Sequence, residues 1–412
     1  MGPSAPRTLE CRTSAKLWQT KAVLASRPLS LSRDAEPLGR ATAASPGTLD
    51  SSRPPDGNTD EVRFTAIMRN PFIVGSWVRA DNFFGRSSLM ERALEGAQDS
   101  VWIVGARRMG KTSVLKELEY RTIHNPQSAF VPLYWDLEGS GDARGLAEGL
   151  LDAVEDSEAF RRAIDLGIEE VEGLNVVDML ATLVRRTVRS GWRLLLLIDE
   201  GEEFLAIARN DLSALLRIRR VLQKGPDIRT VMTSTRRLAR IDERVDYVTS
   251  PFLQGFVPPC YLAPLDASEA RALLARGQFS DDECTTMIDQ TSRHPFLLQL
   301  LASRLFESRD LASVIGQVSS DEMIANFFAV DFQTLEPLDR RILEELARAG
   351  RLEPVDLARN IDVTVDVLDP TLIALRTMGY VSFDGDACHV GNAFFDRWLR
   401  RAQALPTPEV AS

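Results

Sequence analysis

The stretch VWIVGARRMGKTSVL, residues 101–115, sets the fold in outline. Val101–Val104 is a short continuous apolar run, the pattern of a strand buried on both faces, and from Lys111 onward the apolar residues recur at helical spacing. Between strand and helix, Gly105 to Thr112 fits G-x-x-x-x-G-K-[ST]. The chemistry requires these residue types. Glycines let backbone N–H groups turn inward around phosphate oxygens, Lys111 reaches the outer phosphates, Thr112 offers a hydroxyl to Mg²⁺, and the helix N-terminus adds partial positive charge. Gly105, Ala106, Arg107, Arg108, Met109, Gly110, Lys111, Thr112 and Ser113 are therefore expected to cradle the phosphates of ATP or ADP. The alternative is a chance match, but chance seldom sets the pattern between a buried strand and a helix. Lys111 is also one of only five lysines, with Lys16, Lys21, Lys116 and Lys224.

Further strands are expected at FVPLYWDL (130–137), LLLLID (194–199), IRTVMTST (228–235) and, briefly, within PCYLAPL before Asp266. Helical patterns fill the intervals, which implies an α/β fold with a parallel sheet covered on both faces. After Asp266 only helices follow, in SEARALLARG, DDECTTMIDQTS and HPFLLQLLASRLFESR. From about 332 to 402 the pattern is three short helices, two short strands around FDGDA and a closing helix, the arrangement of a winged helix. Pro370, early in the third of these helices, is expected to shorten it. The expected organisation is a disordered Ser/Pro/Arg-rich tail at 1–62, an ATPase core at 63–266, a helical lid at 267–330, a winged helix at 331–403 and a short tail at 404–412.

The other strand ends supply the remaining candidates. Asp199 closes LLLLID, where an acidic residue can serve the metal together with Thr112. Glu200 follows, placed to polarise an attacking water as general base; its bland reading is a solvated carboxylate beside Glu202 and Glu203. The strand ending VMTSTRR offers Ser234 or Thr235 as a sensor of the terminal phosphate and Arg236 as a neutralising cation, against the alternative of simple strand-end capping. EGSGDARG (138–145) also follows a strand, but its glycine spacing is not that of a dinucleotide loop.

Composition removes other classes. Cys11, Cys260, Cys284 and Cys388 form no C-x-x-C, and three histidines leave little for a catalytic triad, so a structural zinc, a disulfide scaffold and a serine or cysteine hydrolase are disfavoured. The cysteine usage suits a reducing cytoplasm. The longest purely apolar run, Leu194–Ile198, is far below the roughly 20 residues of a membrane helix. The net charge of −10 argues against wholesale nucleic-acid binding.

Taken together, RNPFIVGSWVRADNFFGR (69–86), the GARRMGKT loop, LLLLIDEGEEFL, VMTSTR, YLAPLDASEA and RHPFLLQLL resemble the AAA+-related STAND P-loop ATPases, close to the archaeal-type ATPase group. The resemblance spans about residues 69–402. It implies an AAA+-like ATP switch: Phe84, Gly85 and Arg86 bordering adenine and ribose, Pro295 packing on the base, Arg236 on the phosphates, and a winged helix acting as an intramolecular arm. Two departures stand out. Arg293 replaces the glycine common before H-P, and neither an N-terminal effector domain nor a C-terminal repeat array accompanies the ATPase, so a separately encoded protein partner is expected, with nucleotide-dependent homo-oligomerisation possible. The architecture also resembles the origin-recognition initiators, whose winged helix reads DNA. Here residues 332–402 hold twelve acidic against nine basic side chains, and Asp366, Asp369, Asp384 and Asp386 fall where a recognition helix and wing would meet phosphate, so DNA is the alternative reading. A scaffold that binds nucleotide without hydrolysing it, and a metabolite kinase, rank lower.

Overall fold

The computed structural model describes residues 69–242 and 251–404; the tail expected at 1–62 lies outside the described residues, as does the one expected at 404–412 apart from Ala404, which ends a helix. Helix α1 (Ser87–Glu95) leads into β1 (Ser100–Val104), every residue of which is buried. Helix α2 (Lys111–His124) starts directly on Gly110, whose φ of 95° reverses the chain at a position a side chain would strain. Strand β2 (Phe130–Asp136) follows, then α3 (Ala143–Asp156), α4 (Glu158–Ile164) and α5 (Val176–Arg189). Asp142 and Asn175 cap α3 and α5 by accepting backbone N–H groups of the first turn. Strand β3 (Arg193–Asp199), helices α6 (Phe204–Asn210) and α7 (Leu212–Leu222), strand β4 (Ile228–Ser234) and the short β5 (Cys260–Tyr261) complete the α/β part.

The five strands are parallel, in the order β2-β3-β4-β1-β5. β3 is central to the acidic edge: it pairs Asp136↔Asp199 with β2 and Ile198↔Met232 with β4. β1 pairs Val104↔Ser234 with β4. The register therefore brings the C-terminal ends of β1, β3 and β4, with Gly105, Asp199 and Ser234, to one rim of the sheet, where ligands of open α/β sheets bind.

Helices then run without strands: α8 (Ala267–Leu274), α9 (Asp281–Thr291), α10 (Pro295–Ser308), α11 (Leu311–Ser320) and α12 (Glu322–Gln333). The boundary expected at 330 falls inside α12. The last block is α13 (Pro337–Ala349), α14 (Pro354–Asn360), α15 (Val365–Thr377), the antiparallel hairpin β6 (Val381–Asp384) and β7 (Ala387–Val390), and α16 (Ala393–Ala404). Pro370 does not shorten its helix: α15 runs through it, and the outward face on which the ring sits is exposed. One apolar cluster packs α3, α5 and α7 against one sheet face; a second runs from the other face through α8–α10 into α13–α16.

Candidate nucleotide site

The loop after β1 is held from both sides. The Gly105 amide donates to the Ser234 carbonyl at 3.1 Å, and Lys111 Nζ donates to the carbonyls of Gly105 and Ala106 at 3.2 and 3.3 Å. Arg108 (φ 55°) and Gly110 (φ 95°) carry left-handed backbone, which turns the loop around a cleft of about 460 Å³. That volume is within the range of small-molecule sites. Residues 107–114 line it, so Arg107, Arg108, Met109, Gly110, Lys111, Thr112 and Ser113 stand where the motif predicts; Gly105 and Ala106 lie behind, as acceptors for Lys111.

The opposite wall comes from residues 73–86 and from α10. A strap of chain is pinned across α2 and α10: the Val78 amide donates to Ser113 Oγ at 3.1 Å, the Ala80 amide to the buried Glu117 at 2.7 Å, and the Ile73 amide to Gln299 at 2.9 Å. Phe84, Arg86 and Pro295 reach the cleft. Gly85 does not line it; its φ of 75° and the nearby Glu269 carboxylate, 2.1 Å from where a Cβ would stand, explain the glycine. Glu269 also accepts the Arg86 amide at 2.9 Å. Arg86 Nη2 is shut off from solvent without a partner, while Nη1 is near the Pro264 carbonyl at 3.4 Å. A buried, unsatisfied cationic donor in a cleft wall suits an anionic, acceptor-rich ligand such as a nucleotide.

Asp199 and Glu200 are handled differently by their surroundings. Asp199 is 2% exposed and satisfied by hydroxyls from both neighbouring strands, Thr233 on Oδ1 and Tyr134 on Oδ2 at 3.2 Å, with the Glu200 amide on Oδ1 at 3.0 Å. Its orientation is thereby fixed, and it stands behind Glu200 and not among the residues that line the cleft. Glu200 takes left-handed backbone (φ 50°), which turns its side chain into the cleft wall. Burial, followed by the charge of Glu202 and opposed by Lys111, pushes its carboxyl up to about 7. A carboxylate at that value is matched to proton transfer near neutrality.

The strand-end candidates do not line the cleft. Ser234 is fully buried: its hydroxyl accepts the Trp102 indole N–H at 2.7 Å and donates to the Thr235 carbonyl at 2.9 Å. Thr235 Oγ1 is buried without a partner. Arg236 is drawn away to Asp339 on α13, with Nη1 at 3.0 and 2.9 Å from the two carboxylate oxygens. The phosphate contact expected of Arg236 is thus replaced by an internal ion pair, since a carboxylate 1% exposed needs a cation.

Several contacts around the cleft were not foreseen. Asp331 on α12 accepts the Arg107 amide at 3.1 Å and the Tyr380 hydroxyl at 2.7 Å. Arg108 lies over the Phe296 ring, 4.5 Å from its centroid. Desolvation pushes His294 down to about 4, with Nδ1 shut from solvent, so it is neutral at physiological pH. Arg293 adopts φ 61°, the conformation for which glycine is favoured, and its carbonyl accepts the Leu265 amide at 3.1 Å. EGSGDARG faces a separate, acidic hollow beside α3.

No protein-family model matches the chain, and no curated protein sequence is similar to it. Among solved structures, a Walker-type ATPase of Pyrococcus abyssi superposes with a TM-score of 0.60 at 16% identity, over 79% of this chain and 98% of that one. The Aeropyrum pernix ORC2 protein in its ADP form aligns with a TM-score of 0.44 at 15% identity, over 79% and 98%. The Aeropyrum pernix ORC1 protein in complex with DNA gives 0.38 at 15% identity, over 77% and 92%. The fold is that of the AAA+-like P-loop ATPases.

Proposed function

We propose that the chain is an Mg²⁺-dependent ATPase of low turnover that works as a nucleotide-dependent switch on a protein partner. The observation that carries this reading is the convergence of Lys111, Thr112, Glu200 and Arg86 on one cleft at the strand rim. Thr112 and Asp199 are the residues that would hold Mg²⁺, which would supply neutralisation of phosphate charge. Loop amides and the α2 N-terminus bind the phosphates, and Lys111 exchanges its carbonyl partners for phosphate oxygens. Glu200 takes a proton from the attacking water. The adenine lies between the strap, Phe84 and Pro295.

The test is a pair of variants. Lys111→Ala loses ATP binding, measured by displacement of a fluorescent nucleotide, whereas Glu200→Gln binds ATP and loses turnover by about 10²-fold or more. Hydrolysis by Glu200→Gln at the wild-type rate would remove the general-base assignment.

The terminal block, three helices and a hairpin, is read as a winged helix. That arrangement favours an initiator-like, DNA-binding ATPase as the second reading. The outward face of α15 supports a protein partner instead: Asp366 and Asp369 flank Val367 and Ile373, which are 52% and 65% exposed. Salt-dependent retention of duplex DNA near physiological ionic strength would favour the second reading.

A further inference from the structure

Away from the phosphate loop, the cleft wall includes Ile73, Phe84, Leu273 and Pro295, and two side-chain amides stand in it, Asn82 and Gln299. An amide carries two donors on nitrogen and two lone pairs on oxygen, and which end points where follows from its partners. Gln299 Oε1 accepts the Ile73 amide at 2.9 Å, which holds the side chain and fixes its orientation. One lone pair of that oxygen is left over, and Nε2 has no partner among the described residues. The side chain is half-buried, so these groups lose contact with water when the cleft fills and then need partners on the ligand.

We infer that Gln299 is the residue that selects adenine: Nε2 donates to a ring nitrogen, and Oε1 accepts from the exocyclic amino group beside it. This role rests on the reading of the cleft as an ATP site. Gln299 follows Pro295 by four residues on α10, about one turn or 6 Å along the same helix face. A purine lying on Pro295 therefore brings one edge to the amide. On either side of its amino group adenine offers a donor next to an acceptor, the complement of an amide presenting an acceptor next to a donor. Hypoxanthine and guanine put a carbonyl oxygen where adenine has the amino group, so that acceptor would face acceptor at Oε1. Turning the amide end for end is no remedy, because it would strand the Ile73 N–H. Asn82 is not equivalent. Its Oδ1 accepts the Arg276 guanidinium at 2.8 Å, and it sits on a turn of the strap, not on the helix that carries Pro295.

Competition binding to the full chain tests this, with Mg²⁺ present and a ribose-labelled fluorescent ADP displaced by ADP or by IDP, which differ only at the base edge that carries the amino group. The wild type is expected to bind ADP about tenfold or more tightly than IDP, the discrimination of one bidentate base contact. Gln299→Glu keeps an oxygen for the Ile73 amide and replaces the donor by a second acceptor, so that ratio is expected to fall to within about threefold. Any effect of the added charge on the phosphates is common to both ligands and cancels in the ratio. Asn82→Asp makes the same change in the other amide and is expected to keep the wild-type ratio. A ratio kept by Gln299→Glu, or no discrimination by the wild type, overturns the role of Gln299 while leaving the nucleotide site standing. Loss of the ratio in Asn82→Asp as well would mark a general effect of the cleft wall and overturns the role too. If the wild type does not bind the labelled ADP, the site itself falls and the selection with it. Should Gln299→Glu fail to fold or to bind the probe, Gln299→Met, neutral and of similar length, decides on the same ratio.

Discussion

Glu200 shows how one residue's chemistry follows from its surroundings. Burial and the neighbouring Glu202 raise its carboxyl to about 7, and Lys111 limits the rise. On the proposed reading Glu200 is the general base and acts only when ionised, so hydrolysis should climb with pH through about 7 and level off above it. Glu202→Gln removes a like charge, lowers the Glu200 value and should move that limb to more acidic pH; a pH profile of single-turnover hydrolysis measures both. An unmoved limb would assign it to another group. Lys111, Thr112 and Glu200 were legible in the sequence because motif and strand end fix their places along the chain. The fate of Arg236 was not, because its partner Asp339 is 103 residues away and such a pair leaves no local pattern.

At the scale of elements, the continuous apolar runs gave away β1 to β4, since strands buried on both faces have little room for alternation. The helices after Asp266 were equally plain from their helical patterns, and the structure adds capping boxes at Asp266 and Ser280, with Glu269 and Glu283 three residues on. Pro370 was misjudged. A proline within a helix removes one hydrogen bond, but α14 and β6 pack against α15 closely enough to carry it, with Leu368, Leu372 and Leu375 buried. Pro370→Ala restores the missing donor on an exposed face and should stabilise the protein by about 1–3 kcal/mol, read from the chemical denaturation midpoint. A loss of stability would mean that the ring itself packs productively.

Over the whole molecule, the second apolar cluster is continuous from the sheet to α16, and charge is what distinguishes contacts at the cleft rim from those in the core. The sequence pointed to an acidic C-terminal block but only the structure turns part of that acidity inward, onto Arg236, Arg240 and the phosphate loop. Composition counts charges without saying which way they face. The strap over the cleft has one more consequence. Trp77 lines the cleft and is 43% exposed, whereas Trp102 and Trp135 are 4% and 0% exposed in the sheet. The protein thus carries its own optical reporter. Filling the cleft should change the indole emission of Trp77, and Trp77→Phe should silence that signal while the buried indoles keep theirs, so occupancy can be followed in real time without a label.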